Sequence, residues 1–143
     1  MARCDTTERI NASPSRVWNR FRPERMKQWY GPEIRVLSPG PLAKGSRISV
    51  TGQSGPKRFG YEATVTEYAE NRTLAWEGAD NKATYRMTFL LAPKEGATVV
   101  LLRDEFHLKG LIGRLIEKLF MARRVAKYDR HFLGKLKNLV ETP

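Results

Sequence analysis

The chain has 143 residues, of which 41% are hydrophobic, and this size and composition predict one domain over residues 1–143 with a single sizeable core. Its 26 Lys and Arg against 15 Asp and Glu give a net charge of +11, and both ends of the chain are basic whereas residues 61–108 are slightly acidic. The sequence has no apolar run of the roughly 20 residues that span a membrane, no signal-peptide pattern and only one cysteine, Cys4, so we expect a cytoplasmic protein without an intramolecular disulfide.

The first thirty residues predict a strand followed by two short helices. Residues 1–10 form the strand, and Ser13 is a suitable N-cap for a helix whose first position is Pro14. Pro23 ends this helix and begins a second one over residues 24–29.

From there the hydrophobic period changes to two, which predicts six consecutive strands. They lie near residues 33–38, 46–52, 59–68, 73–79, 83–91 and 97–106. Turn-forming clusters of Gly, Pro and Asn separate them, so the strands should form an antiparallel meander. The alternation predicts one apolar face, made by Tyr61, Ala63, Val65, Leu74, Trp76, Tyr85, Met87, Phe89 and Leu91.

The last thirty residues return to a helical period. A helix from Leu111 to Val140 would be roughly 45 Å long and should lie across the apolar face of the sheet. Its predicted apolar stripe consists of Leu108, Ile112, Leu115, Leu119, Ala122, Ala126, Leu133, Leu136 and Val140.

Several segments carry a resemblance to a known family. They are residues 10–18, Trp29, the run Leu74-Ala75-Trp76, Phe106 with Gly110, and residues 136–141. With these segments the chain resembles the polyketide cyclase/dehydrase and START-like lipid-binding superfamily over essentially its whole length. The resemblance implies an α+β helix-grip fold, in which a curved seven-stranded antiparallel sheet grips a long C-terminal helix and two short helices follow the first strand.

The resemblance also implies a largely apolar cavity between the sheet and the long helix. In that superfamily the cavity holds lipids, sterols, polyketides, quinones or other hydrophobic molecules, and only some members are enzymes. Aromatic and thioether side chains suit the wall of such a cavity, although the same residues can simply fill a core. The candidate ligand-binding residues are Trp29, Tyr61, Trp76, Tyr85, Met87, Leu102, Phe106, Leu115 and Leu119.

Asp104 is a weak candidate for a catalytic residue. It shares strand parity with Leu102 and Phe106, which places a carboxylate on the apolar side. Burial would raise its pKa unless a cation such as Arg123 or a tyrosine hydroxyl pairs with it, and it could then accept a proton from a poly-carbonyl substrate. The alternative is a structural or solvated carboxylate at a strand end.

Metal and cofactor sites are not expected, since His107 and His131 have no ligand partners at useful spacing and no nucleotide-binding motif is present. The basic residues could form a rim that attracts an anionic membrane surface, or simply a solvated face. They are Arg16, Arg20, Arg22, Arg25, Lys27, Arg123, Arg124, Lys127 and Arg130. Nucleic acid is a poorer partner, because the aromatic residues do not alternate with the basic ones. The sequence leaves the oligomeric state open.

Three functional hypotheses remain. The first is a carrier or sensor of a hydrophobic small molecule, and the second is a cyclase or dehydrase that uses the same cavity. The third is a protein-interaction module that resembles heat-shock ATPase activator-like proteins, as suggested by Trp29-Tyr30-Gly31-Pro32.

Overall fold

The computed structural model describes residues 2–54, 56–116 and 122–142. Its centre is a seven-stranded antiparallel sheet with the strand order β1-β7-β6-β5-β4-β3-β2. The strands are β1 (Ala2–Ile10), β2 (Glu33–Val36), β3 (Arg47–Ser54), β4 (Lys57–Ala69), β5 (Thr73–Ala79), β6 (Ala83–Lys94) and β7 (Ala97–Leu108). The helices are α1 (Pro14–Trp18), α2 (Pro23–Met26), α3 (Leu111–Ile116) and α4 (Ala122–Glu141), with a 3₁₀ turn at Asn19–Phe21. This α+β architecture confirms the predicted helix-grip fold.

The first helix begins where the sequence predicts. Ser13 has extended backbone angles, and its hydroxyl accepts a hydrogen bond from the Arg16 backbone N–H at 3.4 Å. Pro14 occupies the first helical position, where its missing N–H leaves no bond unmade. The helix and the turn after it place Trp18 and Phe21 in a stacked pair against the core, with ring centroids 5.4 Å apart.

The predicted faces of the meander are confirmed. Tyr61, Trp76, Met87 and Phe89 are buried, whereas the alternate positions on β4 and β6, and Glu77 on β5, are exposed or half-buried; Ala75 on β5 is buried as well. A register shift on β4 between residues 65 and 67 adds one residue to that strand, and such a bulge bends a strand toward one face.

Helix α4 packs across β1 and buries Leu133, Leu136 and Val140. Three hydrogen bonds fix its C-terminal end to the start of the chain. The Arg16 guanidinium donates to the Val140 carbonyl at 3.0 Å, the Asn11 N–H donates to the Glu141 carboxylate at 3.0 Å, and the Lys137 ammonium donates to the Arg9 carbonyl at 2.7 Å. The predicted packing of the C-terminal helix is therefore confirmed along α4.

The predicted stripe is wrong along α3. Gly110, with φ of 85°, turns the chain sharply after β7. As a result, α3 approaches β7 with the face that carries Gly113, and a Cβ added at Gly113 would lie 3.1 Å from Cβ of Leu108. The apolar side chains of α3 consequently point away from the core, with exposed fractions of 85% for Leu111, 78% for Ile112, 57% for Leu115 and 43% for Ile116. Leu119 lies outside the described residues.

Candidate functional site

The predicted ligand-binding residues lie mostly in one interior. Trp29, Tyr61, Trp76, Met87, Leu102 and Phe106 are buried on the concave side of the sheet, and Tyr85 is half-buried there. Leu115 is the exception among those that the structure describes, because it is exposed on α3 and contributes nothing to this interior; the ninth predicted residue, Leu119, lies outside the described residues.

One end of the interior is filled by aromatic side chains. Trp29 meets Phe21 edge-on at a centroid distance of 5.1 Å and Phe89 at 5.9 Å, while Tyr30 packs on Phe89 at 5.7 Å. The indole N–H of Trp29 donates to the Arg20 carbonyl at 2.9 Å, so the polar atom of this ring is used within the fold. Trp29 and its neighbours thus form packed core.

The other end combines aromatic rings with polar groups. Tyr61 and Tyr85 stack at 4.3 Å, the Trp76 indole N–H donates to the Tyr61 hydroxyl at 3.1 Å, and the Tyr85 hydroxyl donates to the Asp80 carboxylate at 3.3 Å. Burial raises the pKa of Tyr61 and raises that of Tyr85 to about 12. Both hydroxyls are therefore neutral at physiological pH and can donate hydrogen bonds.

A second carboxyl group faces Asp104 across the interior. Asp104 on β7 and Asp129 on α4 are hydrogen-bonded through their side chains, and Asp129 is only 2% exposed. Burial raises the pKa of both carboxyls, and the negative charge of Asp104 raises that of Asp129 further. The partner of Asp104 is thus a second acid, and not the cation or the tyrosine hydroxyl that the sequence analysis considered.

No positive charge among the described residues lowers the pKa of either carboxyl. Cys4 on β1 lies directly opposite Asp104 in the register, and burial raises the pKa of its thiol, so it stays neutral. Tyr30 and Tyr61 are close enough that Asp104 raises the pKa of both hydroxyls, after the larger effect of burial. Like-charged groups that share a site in low dielectric retain a proton between them, which enables the pair both to donate and to accept hydrogen bonds.

Asp129 is the residue that the sequence analysis missed. It lies four positions before Leu133, and with Ala126, Leu136 and Val140 it completes a stripe at steps of three and four residues. An acid on an otherwise apolar helix stripe is a signal of a buried polar site, because burial of an unpaired carboxylate is costly.

Neither of two concavities on the described surface is lined by Asp104 or Asp129. The larger is an open groove of about 790 Å³, bordered by α1, α2 and the loops at Gly40 and Asn71, and no predicted ligand-binding residue lines it. The smaller, of about 350 Å³, involves Tyr85. No cluster of three or more His, Cys, Asp or Glu suited to a metal ion occurs within the described ranges. The described helices also include none that is long and apolar enough to cross a membrane.

Comparison with known proteins gives a family and a fold. A sequence profile described as polyketide cyclase / dehydrase and lipid transport matches residues 1–141. TTHA0849 from Thermus thermophilus is similar in structure, with a TM-score of 0.80, 18% identity, and 97% of each chain covered. The Aha1 dimer from Colwellia psychrerythraea gives a TM-score of 0.71 at 22% identity, over 99% of this chain and 98% of that one.

A third structure, CalU16 from Micromonospora echinospora, gives a TM-score of 0.68 at 16% identity, over 96% of this chain and 75% of that one. These identities show a shared fold alone. No curated protein matches the chain.

Proposed function

Since the chain belongs to the polyketide cyclase/dehydrase and lipid-transport family, we propose that it binds a hydrophobic small molecule between the concave face of the sheet and the C-terminal helix, as a carrier or sensor. The observation that carries the proposal is the contrast between the two ends of the interior. The end at Trp29 is closed by packed aromatic rings, whereas the end at Tyr61 and Tyr85 joins apolar surface to a few polar tips. This is the composition typical of sites for apolar ligands that must be oriented.

The burial of side chains along the inner face of the sheet supports the end at Tyr61 and Tyr85 as the place where a ligand enters. The inner positions of β6 and β7 are fully buried at Phe89 and Leu102. Toward the ends that adjoin α3 burial is mixed, since Ala83 is fully buried but Tyr85 and Leu108 are only partly buried. An apolar molecule entering there would meet the Tyr61–Tyr85 stack and the Asp104–Asp129 pair first.

The test is binding of an apolar fluorescent probe to the purified protein. We expect one-to-one stoichiometry, and we expect Tyr85→Ala to weaken the affinity because it removes half of the stacked pair. The control is Tyr68→Ala, which removes an exposed tyrosine that packs on Trp18 at the other end. Equal effects of both variants, or no binding by the wild type, would contradict the proposal. Native mass spectrometry of gently purified protein would identify a co-purifying ligand directly.

A second proposal concerns the surface of α3, which we infer contacts an anionic membrane during uptake or release of the ligand. Four exposed apolar side chains form a patch of a kind that soluble monomers seldom leave uncovered. Between Leu108 and Asp129 the sequence holds one acidic residue, Glu117, whereas its basic residues are Lys109, Arg114, Lys118, Arg123, Arg124 and Lys127. Apolar residues among basic ones match the acyl boundary and the acidic headgroups of such a surface.

Vesicle sedimentation separates the contribution of the basic residues to membrane binding from that of the apolar ones. Binding to vesicles that contain acidic lipid should fall as ionic strength rises, since exposed charges are screened over about 8 Å at physiological salt. Reversal of Arg123, Arg124 and Lys127 to Glu should weaken binding and spare uptake of the neutral probe. The matched control, with the same change in net charge, is reversal of Lys44, Arg58 and Lys94, which are exposed and lie outside the predicted basic rim; it should leave vesicle binding largely unchanged. Equal binding to neutral and acidic vesicles, or none to either, would refute the membrane proposal.

A further inference from the structure

The open groove of about 790 Å³ beside α1 and α2 is not used by the proposed function. Its volume lies within the range of roughly 300–1,000 Å³ that is typical of binding sites. Trp18 and Phe21 line it from α1 and the turn that follows, Tyr68 lines it from the end of β4, and the segment between β2 and β3 adds Pro41 and Leu42. The groove therefore brings together aromatic and proline surface from three separate parts of the chain.

The indole N–H groups of the three tryptophans differ in how the fold uses them. Trp29 donates to the Arg20 carbonyl at 2.9 Å and Trp76 donates to the Tyr61 hydroxyl at 3.1 Å. The indole N–H of Trp18 donates to no described residue. Although the Trp18 side chain is only 8% exposed, its indole nitrogen is not fully enclosed, so the N–H reaches the surface where the ring lines the groove. An indole nitrogen can only donate, and this one is open to an acceptor from outside the chain.

Tyr68 supplies exposed apolar surface next to that donor. Its ring meets Trp18 edge-on at a centroid distance of 5.6 Å and is 37% exposed, and its hydroxyl bonds to no described residue. Pro41, on the same groove, is exposed as well. An occupant can thus pack on Tyr68 and Pro41 while its carbonyl oxygens accept hydrogen bonds from Trp18 and Tyr68.

The charges that line the groove cancel. Arg16 and Arg22 are balanced by Glu24 and Glu70, although the whole chain carries a net charge of +11. A polyanion or an acidic membrane gains no net attraction here, and a neutral occupant fits this lining best.

A proline-rich peptide meets each of these requirements. The backbone N–H groups of an ordinary extended peptide would lose water against the apolar floor, which is costly when they find no acceptor. Proline has no N–H, its ring adds apolar surface, and its carbonyl remains free to accept. The polyproline II helix also needs no internal hydrogen bonds and is preformed, so little conformational entropy is lost when it docks on an aromatic-lined groove.

We propose that the groove beside α1 and α2 binds a proline-rich segment of a partner protein. In the bound state a backbone carbonyl of the segment accepts from the Trp18 indole N–H, and its proline rings pack on Tyr68 and Pro41. The inference goes beyond the proposed function and does not depend on it, because no predicted residue of the interior site lines the groove.

Titration of the full chain with hexaproline and with hexaalanine, both blocked at their ends and followed by ¹H–¹⁵N NMR, tests the proposal. Hexaproline should shift the indole N–H resonance of Trp18 and leave those of Trp29 and Trp76 in place, because these two donate within the fold. The resonance that Trp18→Phe removes identifies Trp18. Hexaproline should bind about ten-fold or more tightly than hexaalanine, whose N–H groups lose water in the groove.

Two tyrosine variants locate the site. Tyr68→Ala should weaken hexaproline binding about ten-fold, because it removes the exposed ring on which the prolines pack. Its matched control is Tyr128→Ala, which removes a tyrosine that is also 37% exposed but lies on α4 and does not line the groove. Tyr85→Ala should weaken binding of the apolar probe and keep that of hexaproline, whereas Tyr68→Ala should do the reverse.

Several outcomes would overturn the proposal. Hexaproline that leaves the Trp18 resonance in place, or binds Tyr68→Ala as tightly as the wild type, would show that the groove is not its site. Equal binding of hexaalanine would refute the preference for proline. If the Trp18 resonance moves only with protein concentration or with the apolar probe, a second copy of the chain or a small molecule occupies the groove, and the proline-rich partner is refuted.

Discussion

Asp129→Asn makes the stability of this fold less dependent on pH. The substitution keeps the size and shape of the side chain and removes its ionisable group from the Asp104–Asp129 pair. The asparagine amide can also donate a hydrogen bond to the remaining carboxylate, which favours the ionised form of Asp104. Both effects remove the requirement that the folded protein hold a proton at this place.

The sign follows from the direction of the two pKa shifts. Both carboxyls have a pKa above the ordinary value of 3.8 when the chain is folded, chiefly because they are buried. Between the ordinary and the raised pKa the folded state binds more protons than the unfolded state, so the free energy of unfolding falls as pH rises. The stability that the protonated pair supplies is fully present at acid pH and is lost as pH rises through the raised pKa.

The magnitude follows from the same linkage. A carboxyl that is protonated in the folded chain and ionised in the unfolded chain changes the free energy of unfolding by about 1.4 kcal/mol per pH unit. From about pH 5 to about pH 7, the wild type should therefore lose roughly 1 to 3 kcal/mol of stability relative to Asp129→Asn.

Urea unfolding followed by tryptophan fluorescence, at a series of pH values, measures this difference. Asp5→Asn is a control with the opposite expected pH dependence, because the pKa of Asp5 is lowered in the folded protein. Hydrogen bonds from Arg3 and Arg103 lower the pKa of Asp5 to about 2. Its contribution is present above its ordinary pKa and is lost as pH falls, so its variant should approach the wild type in acid. Parallel stability curves for the wild type and Asp129→Asn would refute the reasoning, because the pair would then not hold an extra proton.

Two further predictions use matched pairs of sites. Gly78→Ala should lower the free energy of unfolding by about 1–3 kcal/mol, since its Cβ would lie 2.8 Å from Cδ2 of Tyr61 and collide with the backbone of the neighbouring strand. Gly134→Ala should instead raise it by about 0.5–1 kcal/mol, because no atom lies within 4 Å of the added Cβ and alanine favours the helix α4. Thermal unfolding decides between these signs, and a stabilised Gly78→Ala would contradict the close strand approach. Leu136→Ala should lower the free energy of unfolding by about 2–5 kcal/mol, because Leu136 is fully buried. Leu115→Ala should change the free energy of unfolding by less than about 0.5 kcal/mol, because Leu115 is exposed, and it should weaken vesicle binding. A large loss of stability for Leu115→Ala would show that α3 packs on the core in solution.

Local sequence signals account for most of the fold. Alternation along β4, β5 and β6 predicts both the strands and the buried face, because the side-chain period of a strand is two and one face of this sheet is covered. Ser13 and Pro14 predict the start of α1 through backbone hydrogen bonding alone. These signals succeed because each depends on neighbours within a few residues.

The candidate site is less predictable for a physical reason. Helical periodicity says which residues share a face, but not what that face meets, so it could not show that Leu115 is exposed while Leu136 is buried. The Asp104–Asp129 contact joins a strand to a helix that follows it in the chain, and only the three-dimensional structure brings the two carboxyls together. An acid on an apolar stripe marks Asp129 as unusual without naming its partner.

The placement of β1 also has a consequence for the order in which the protein folds during synthesis. β1 is synthesised before the other described strands, yet it pairs with β7, and the Asp5–Arg103 hydrogen bonds join residues 98 positions apart. Helix α4, which also packs on β1, is synthesised later still. The strands from β2 to β7 can each pair with the preceding strand as they are synthesised. Until β7 is available, β1 remains unpaired, and its backbone hydrogen-bond donors and acceptors are exposed. A nascent chain arrested before β7 would therefore present a free strand to chaperones, and refolding from denaturant should be slow for a chain of this size because the closing contacts are so distant.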